Sequence, residues 1–116
     1  MPVARDFVRS VTEETFDSLV LGAVDPVAVE FMSYGCEHCR LLEPAMQKVA
    51  KDLVSREAIF RVNIAVCQEL AIRYEIEGTP TLIMFFNGNE VGRAVGPNPS
   101  GKVLLEVVTR PFEGRA

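Results

Sequence analysis

Pro26-Val27-Ala28-Val29-Glu30-Phe31-Met32-Ser33-Tyr34-Gly35-Cys36-Glu37-His38-Cys39 is the stretch on which the fold turns. Val27, Val29 and Phe31 alternate with Ala28, Glu30 and Met32, so a strand over Val27 to Met32 is apolar on both faces except for one carboxylate. That is the pattern of a strand covered from both sides. Behind it, Leu41, Leu42, Ala45, Met46, Val49 and Leu53 recur at helical spacing, while Glu43, Lys48, Lys51 and Asp52 take the other face. The spacing predicts the longest helix of the chain, opened by Cys36. Pro44 falls inside it and cannot donate to the carbonyl of Arg40, which costs about 3 kcal/mol unless the helix bends, so a kink is expected.

Working outward, Thr12 can cap a short helix whose Phe16, Leu19 and Val20 share one face, closed by Gly22 to Pro26. Ala58 to Ile64 reads as a strand, Gln68 to Tyr74 as a short helix, and Thr81 to Phe86 as a strongly apolar strand. Asn87-Gly88 is a hairpin signal that should pair Thr81–Phe86 antiparallel with Glu90–Val95. A last helix is predicted from about Ser100 to Thr109, with Val103, Leu104, Val107 and Val108 inward and Pro111 beyond its end. Strands alternating with helices, then a hairpin and a helix, describe an α/β layered sheet with helices on both faces. One domain over residues 1–116 is expected, with a core of about 7–110 and a loose tail over 111–116.

The chain has 116 residues and a net charge of −4, with 48% hydrophobic and 24% charged residues. This is ordinary globular usage and excludes a collagen, a coiled coil or a disordered tail. With no Lys/Arg cluster, the footprint that phosphate-backbone or anionic-lipid binding needs is missing, so no nucleic-acid and no membrane partner is expected. The longest apolar run, Leu82 to Phe86, is five residues against the roughly 20 that cross a bilayer. The first ten residues hold Arg5, Asp6 and Arg9 and do not read as a secretory signal, which makes a cytoplasmic location the expectation. A monomer is expected from the net charge. Three cysteines are an odd number and too few for a disulfide scaffold, so they need a chemical reason.

Cys36-Glu37-His38-Cys39 supplies one. A cysteine in the first turn of a helix meets unpaired N–H groups and the positive end of the helix dipole, both of which favour thiolate over thiol. Cys36 should be the more acidic thiol. Cys39, one turn later and more enclosed, is placed to bridge it. The competing readings are half a zinc site or inert core residues. A structural zinc needs four ligands and only His38 and Cys67 could complete the set, so no metal is expected, and a helix start behind a strand is a partly exposed place that speaks against inert burial. A protonated His38 would favour the Cys36 thiolate, whereas Glu37 opposes it, and their sum is left unsigned; a solvated surface His38 is the alternative. Glu30 is either desolvated, with a raised pKa and a role as proton acceptor for Cys39, or an edge-strand residue facing solvent. Pro80 cannot donate to a ladder, and the base rate of X-Pro bonds makes Thr79-Pro80 trans.

With these residues assembled, the chain resembles the thioredoxin family from about Phe7 to Arg110. The resemblance rests on Thr12-Glu13-Glu14-Thr15-Phe16, Val29-Glu30-Phe31, Cys36-x-x-Cys39 with Pro44, Gly78-Thr79-Pro80-Thr81, Asn87-Gly88 and Gly96. It implies a thioredoxin-like fold with a central mixed sheet of four to five strands flanked by helices, and a cis Pro80 beside the cysteine pair. By the same analogy Cys36 attacks a substrate disulfide and Cys39 resolves the mixed disulfide. Glu30 takes the buried-acid position usually held by Asp, with Arg61 where a lysine is common. The resemblance also places Gly35, Thr79, Pro80 and Gly96 at the substrate surface, the backbone of Thr79 pairing with an extended segment.

The implied activity is thiol–disulfide exchange with protein disulfides. It needs no bound cofactor, and a reductase of the thioredoxin-reductase type would supply electrons. The chain departs from the family pattern in having no tryptophan, in Gly35 and Met32 at usual Trp positions, and in Glu37-His38 where Gly-Pro is usual. A histidine before the second cysteine is similar to the more oxidising disulfide isomerases and oxidases, which is one alternative; a non-catalytic binding module on the same fold is another. Cys67 is expected to be a buried thiol outside the redox pair.

Overall fold

The computed structural model describes residues 6–115. Its five-stranded sheet has the order β1-β3-β2-β4-β5, from β1 (Arg9–Ser10), β2 (Val27–Met32), β3 (Ala58–Asn63), β4 (Thr81–Phe86) and β5 (Asn89–Val95). β1 and β2 both run parallel to β3, while β4 is antiparallel to β2 and β5 to β4. The sheet is therefore mixed, with β2 second only to none in enclosure: every one of its residues is buried.

Side-chain alternation sends the strands' residues to two separate cores. On one face Ala28, Ile59, Leu82 and Met84 meet Leu42, Met46, Val49 and Ala50 of α1 (Glu37–Asp52) and Leu104 and Val108 of α3 (Gly101–Thr109). On the other, Val27, Val29, Phe31, Phe60, Ile83 and Phe85 meet Phe16 and Val20 of the first turn region and Leu70 of α2 (Gln68–Arg73). Phe16, Phe85 and Tyr74 stack there with ring centroids 5.4–5.8 Å apart. Helices thus cover both faces, as the sequence predicts.

The hairpin is also as read. Asn87 and Gly88 both have positive φ (51° and 81°), which a two-residue turn of the I′ kind requires. A register shift between Met84 and Phe85 then leaves Val91 as the extra residue of β5. Ser100 caps α3, its hydroxyl accepting the Val103 N–H at 3.5 Å.

Four local expectations are corrected, and one strand is added. The segment after Thr12 is a turn followed by a π-helical turn over Asp17–Leu21, closed by the Gly22 N–H on the Asp17 carbonyl at 2.8 Å. Its capping is the reverse of that expected: the Thr15 hydroxyl accepts the Thr12 N–H at 2.9 Å. Leu41 is 62% exposed, because the buried stripe of α1 runs through Leu42, Met46 and Val49 and leaves Leu41 at its edge. Val103 is likewise 40% exposed on α3. Finally, β1 has no counterpart in the sequence reading. It is two exposed residues, paired with Phe60 and Arg61, and its buried flanks Val8 and Val11 enter opposite cores.

Candidate active site

The C-terminal end of β2 delivers the chain through Ser33–Gly35 to Cys36, which is the N-cap of α1 in extended conformation (φ −83°, ψ 117°). Its sulfur accepts the Cys39 N–H at 3.2 Å, and its thiol faces the carbonyl oxygen of Thr79 at 3.5 Å. One of the orphan N–H groups of the helix start is thereby spent on sulfur. Burial pushes the Cys36 thiol up. Interactions with Cys39 and Thr79 and the backbone N–H groups of Cys39 and His38 outweigh it, leaving Cys36 below the ordinary cysteine range. Cys39 is buried, and desolvation together with the adjacent Cys36 pushes it up to about 11. The pair is therefore split into an ionisable, half-buried thiol and a protonated, enclosed one, both free.

Thr79-Pro80 is cis, as the resemblance implies and as the base rate alone does not. Pro80 is buried, and its carbonyl accepts the Gly96 N–H at 2.8 Å, which draws the 96–97 turn to the same end of the sheet. The structure thus brings Cys36, Cys39, Thr79, Pro80 and Gly96 together. His38 also joins them, but its ring is directed to that turn: Nε2 lies 2.9 Å from the Pro97 oxygen. His38 acts on the Cys36 sulfur through its backbone N–H. Gly35 is exposed beside Cys36, with its N–H on the Ser33 hydroxyl at 3.3 Å.

Glu30 is fully buried on the central strand, which removes the edge-strand alternative. It projects to the α1 face, between its register partners Arg61 on β3 and Leu82 on β4. Neither carboxyl oxygen has a hydrogen-bond partner among the described residues. Desolvation, then repulsion from Glu43 and Cys36, outweighs attraction to Arg61 and raises its pKa to about 7. A carboxyl poised there can take a proton from a nearby thiol and give it back. Cys67 packs with Phe16, Val62 and Leu70 on the opposite face, and burial raises its pKa.

Residues not anticipated from the sequence complete the surroundings. Glu43 and Asp6 both hold the Arg61 guanidinium, and Gln47 links them, its amide donating to Asp6 Oδ1 at 2.6 Å and to Glu43 Oε1 at 3.0 Å. Glu43 and Asp6 are 18 and 55 residues from Arg61 in the chain, so no local pattern reveals the clamp. Tyr34, Val66 and Val95 are exposed apolar side chains at the same end of the sheet. Their signal was available as apolar residues in loop or strand-end positions.

Among known proteins, the thioredoxin family model matches residues 7–109. "Thioredoxin C-2" of Corynebacterium nephridii is 31% identical over 96 residues, covering 83% of this chain and 89% of that one. The thioredoxin of Rickettsia bellii (strain RML369-C) is 34% identical over 95 residues, covering 82% and 90%. A "Probable protein disulfide-isomerase A6" of Medicago sativa is 36% identical over 95 residues, covering 80% of this chain and 26% of that one. The five-stranded mixed sheet, a Cys-x-x-Cys at the head of the helix behind its central strand, and a family match across nearly the whole chain agree: the chain belongs to the thioredoxin family of thiol–disulfide oxidoreductases.

Proposed function

We propose that the chain reduces disulfides of protein partners through a Cys36/Cys39 dithiol. The Cys36 thiolate attacks one sulfur of the substrate disulfide, forming a mixed disulfide, and the other substrate sulfur leaves with the electron pair and is protonated. Cys39 then loses its proton to Glu30 and attacks Cys36 Sγ. The second substrate sulfur is released as a thiolate and takes up a proton. The substrate disulfide has gained two electrons and two protons, and Cys36–Cys39 is oxidised to a disulfide. Thr79, Pro80, Gly96 and Gly35 form the surface on which an extended substrate segment lies, the Thr79 backbone pairing with it. A reductase outside the chain returns the electrons.

The observation that carries this reading is the Cys36 sulfur as helix N-cap, accepting the Cys39 N–H with its pKa lowered while that of Cys39 is raised. Turnover of insulin disulfides with dithiothreitol as electron source tests it. Cys36→Ser abolishes turnover, and Cys39→Ser accumulates a mixed disulfide visible by mass spectrometry; full activity in Cys36→Ser overturns the reading.

A second reading, a more oxidising oxidase or isomerase, is favoured by Glu37-His38 between the cysteines and by the likeness to the Medicago sativa protein. The equilibrium potential against glutathione separates the two: about −270 mV fits a reductase, and about −180 to −120 mV fits the second reading.

A further inference from the structure

We propose that Glu43 is a positioning residue for this exchange chemistry: with Asp6 it clamps the Arg61 guanidinium and holds that cation off the Glu30 carboxyl, which stays free to carry a proton beneath the cysteine pair. The proposal rests on the dithiol reading above.

Arg61 and Glu30 are direct register partners on adjacent parallel strands, and both are buried. Two such groups would be expected to pair, since a buried charge without a partner is costly. They do not. Arg61 NH1 donates to Asp6 Oδ2 at 2.8 Å, and NH2 donates to both oxygens of Glu43, one of them at 3.1 Å. Arg61 Nε and both Glu30 oxygens are left without partners among the described residues, so donor and acceptors stand unpaired on neighbouring strands. The guanidinium is bonded to two carboxylates, Asp6 and Glu43, both nearer the surface than Glu30, and they hold its terminal nitrogens.

The charged and titratable groups that act on Glu30 come from each element around it: Glu43 and Cys36 from α1 and its cap, and Arg61 from β3. Asp6, from the N-terminal segment, acts through Arg61. Leu82 of β4 adds no charge. Glu43 therefore acts twice, by its own repulsion and by occupying the cation that would otherwise stabilise an ionised Glu30. Gln47 fixes the clamp by bonding to both Asp6 and Glu43, and its side-chain oxygen accepts the Phe7 N–H at 2.8 Å.

The test is the carboxyl titration of Glu30, followed by carbon NMR in the reduced full-length chain. Glu43→Gln should lower the Glu30 midpoint by about one pH unit, and the acid limb of the mixed-disulfide resolution rate should move down with it. In an Arg61→Gln background the same change should shift the midpoint clearly less, because only direct repulsion remains to be lost. Asp6→Asn, which opens the other arm of the clamp, should also lower the midpoint. An unmoved or raised midpoint in Glu43→Gln overturns the proposal, and so does an equal shift in the two backgrounds. A wild-type chain inert toward disulfides instead overturns the dithiol reading, whatever Glu30 does.

Discussion

His38 Nε2 lies 2.9 Å from the carbonyl oxygen of Pro97, and the chain's one histidine thereby ties the active-site helix to the turn after β5. The ring sits against Gly96, whose φ is +58° and where a Cβ would lie 3.4 Å from His38 Cε1. The same turn is bonded to Pro80 through the Gly96 N–H. The turn is thus fastened on two sides. Replacing His38 by Ala removes one fastening and leaves the carbonyl of a buried Pro97 unpaired, which is expected to cost about 1 kcal/mol. A fall in the urea midpoint with an unchanged m-value checks it.

The split between the two thiols makes alkylation selective. Cys36 is the half-buried cysteine with the lowered pKa, whereas Cys39 and Cys67 are buried with raised ones. Iodoacetamide at pH 7 should modify Cys36 first, with a rate midpoint below the ~8.5 of a free cysteine. Peptide mapping after partial labelling reads this directly, and equal labelling of Cys36 and Cys39 would contradict it.

Glu30 also makes stability depend on pH. Its pKa rises from 4.5 to about 7 on folding, so between those values the folded chain binds a proton that the unfolded chain has released. Stability therefore falls as pH rises through this window, the opposite of a salt-bridged carboxylate. Glu30→Gln removes the titration, so its stability relative to wild type should grow by about 3 kcal/mol from below pH 4.5 to above pH 7. Glu57, buried just before β3 and pushed up to about 8 by desolvation, should act in the same direction over a window reaching further into the alkaline range. Urea titrations of Glu30→Gln and Glu57→Gln at pH 4, 6 and 8 separate the two contributions.

What the sequence makes legible here is local. The alternation of Val27 to Met32, the cysteine at a helix start and the Asn87-Gly88 turn each carry their signal within a few residues, and all three recur in the structure. Periodicity places a stripe on a helix but not its edges, which is why Leu41 and Val103 were assigned inward and are exposed. β1 is too short for any period and exists because β3 offers it an edge. The clamp on Arg61 and the bond to the Pro97 carbonyl are long-range, and the latter ends on a backbone atom that no residue type announces. The cis form of Pro80 was legible only through family resemblance, since the base rate favours trans.

Two glycines give opposite predictions for the same substitution. At Gly92 on β5 a Cβ would stand 2.7 Å from Cγ and 2.9 Å from Cβ of Pro111, in the short helical turn Arg110–Phe112 that follows α3. The pyrrolidine ring cannot rotate away, so the turn must shift, and Gly92→Ala is expected to cost about 1–3 kcal/mol. At Gly101, the first residue of α3, nothing lies within 4 Å of the added carbon. Alanine there lowers the entropy of the unfolded chain and suits the helix, and should stabilise by about 0.4–1 kcal/mol. Thermal melts of the two variants beside wild type check the pair. Gly92→Ala melting at the wild-type temperature would mean that α3 and its terminal turn are not seated on β5 as closely as Met84 and Pro111 indicate.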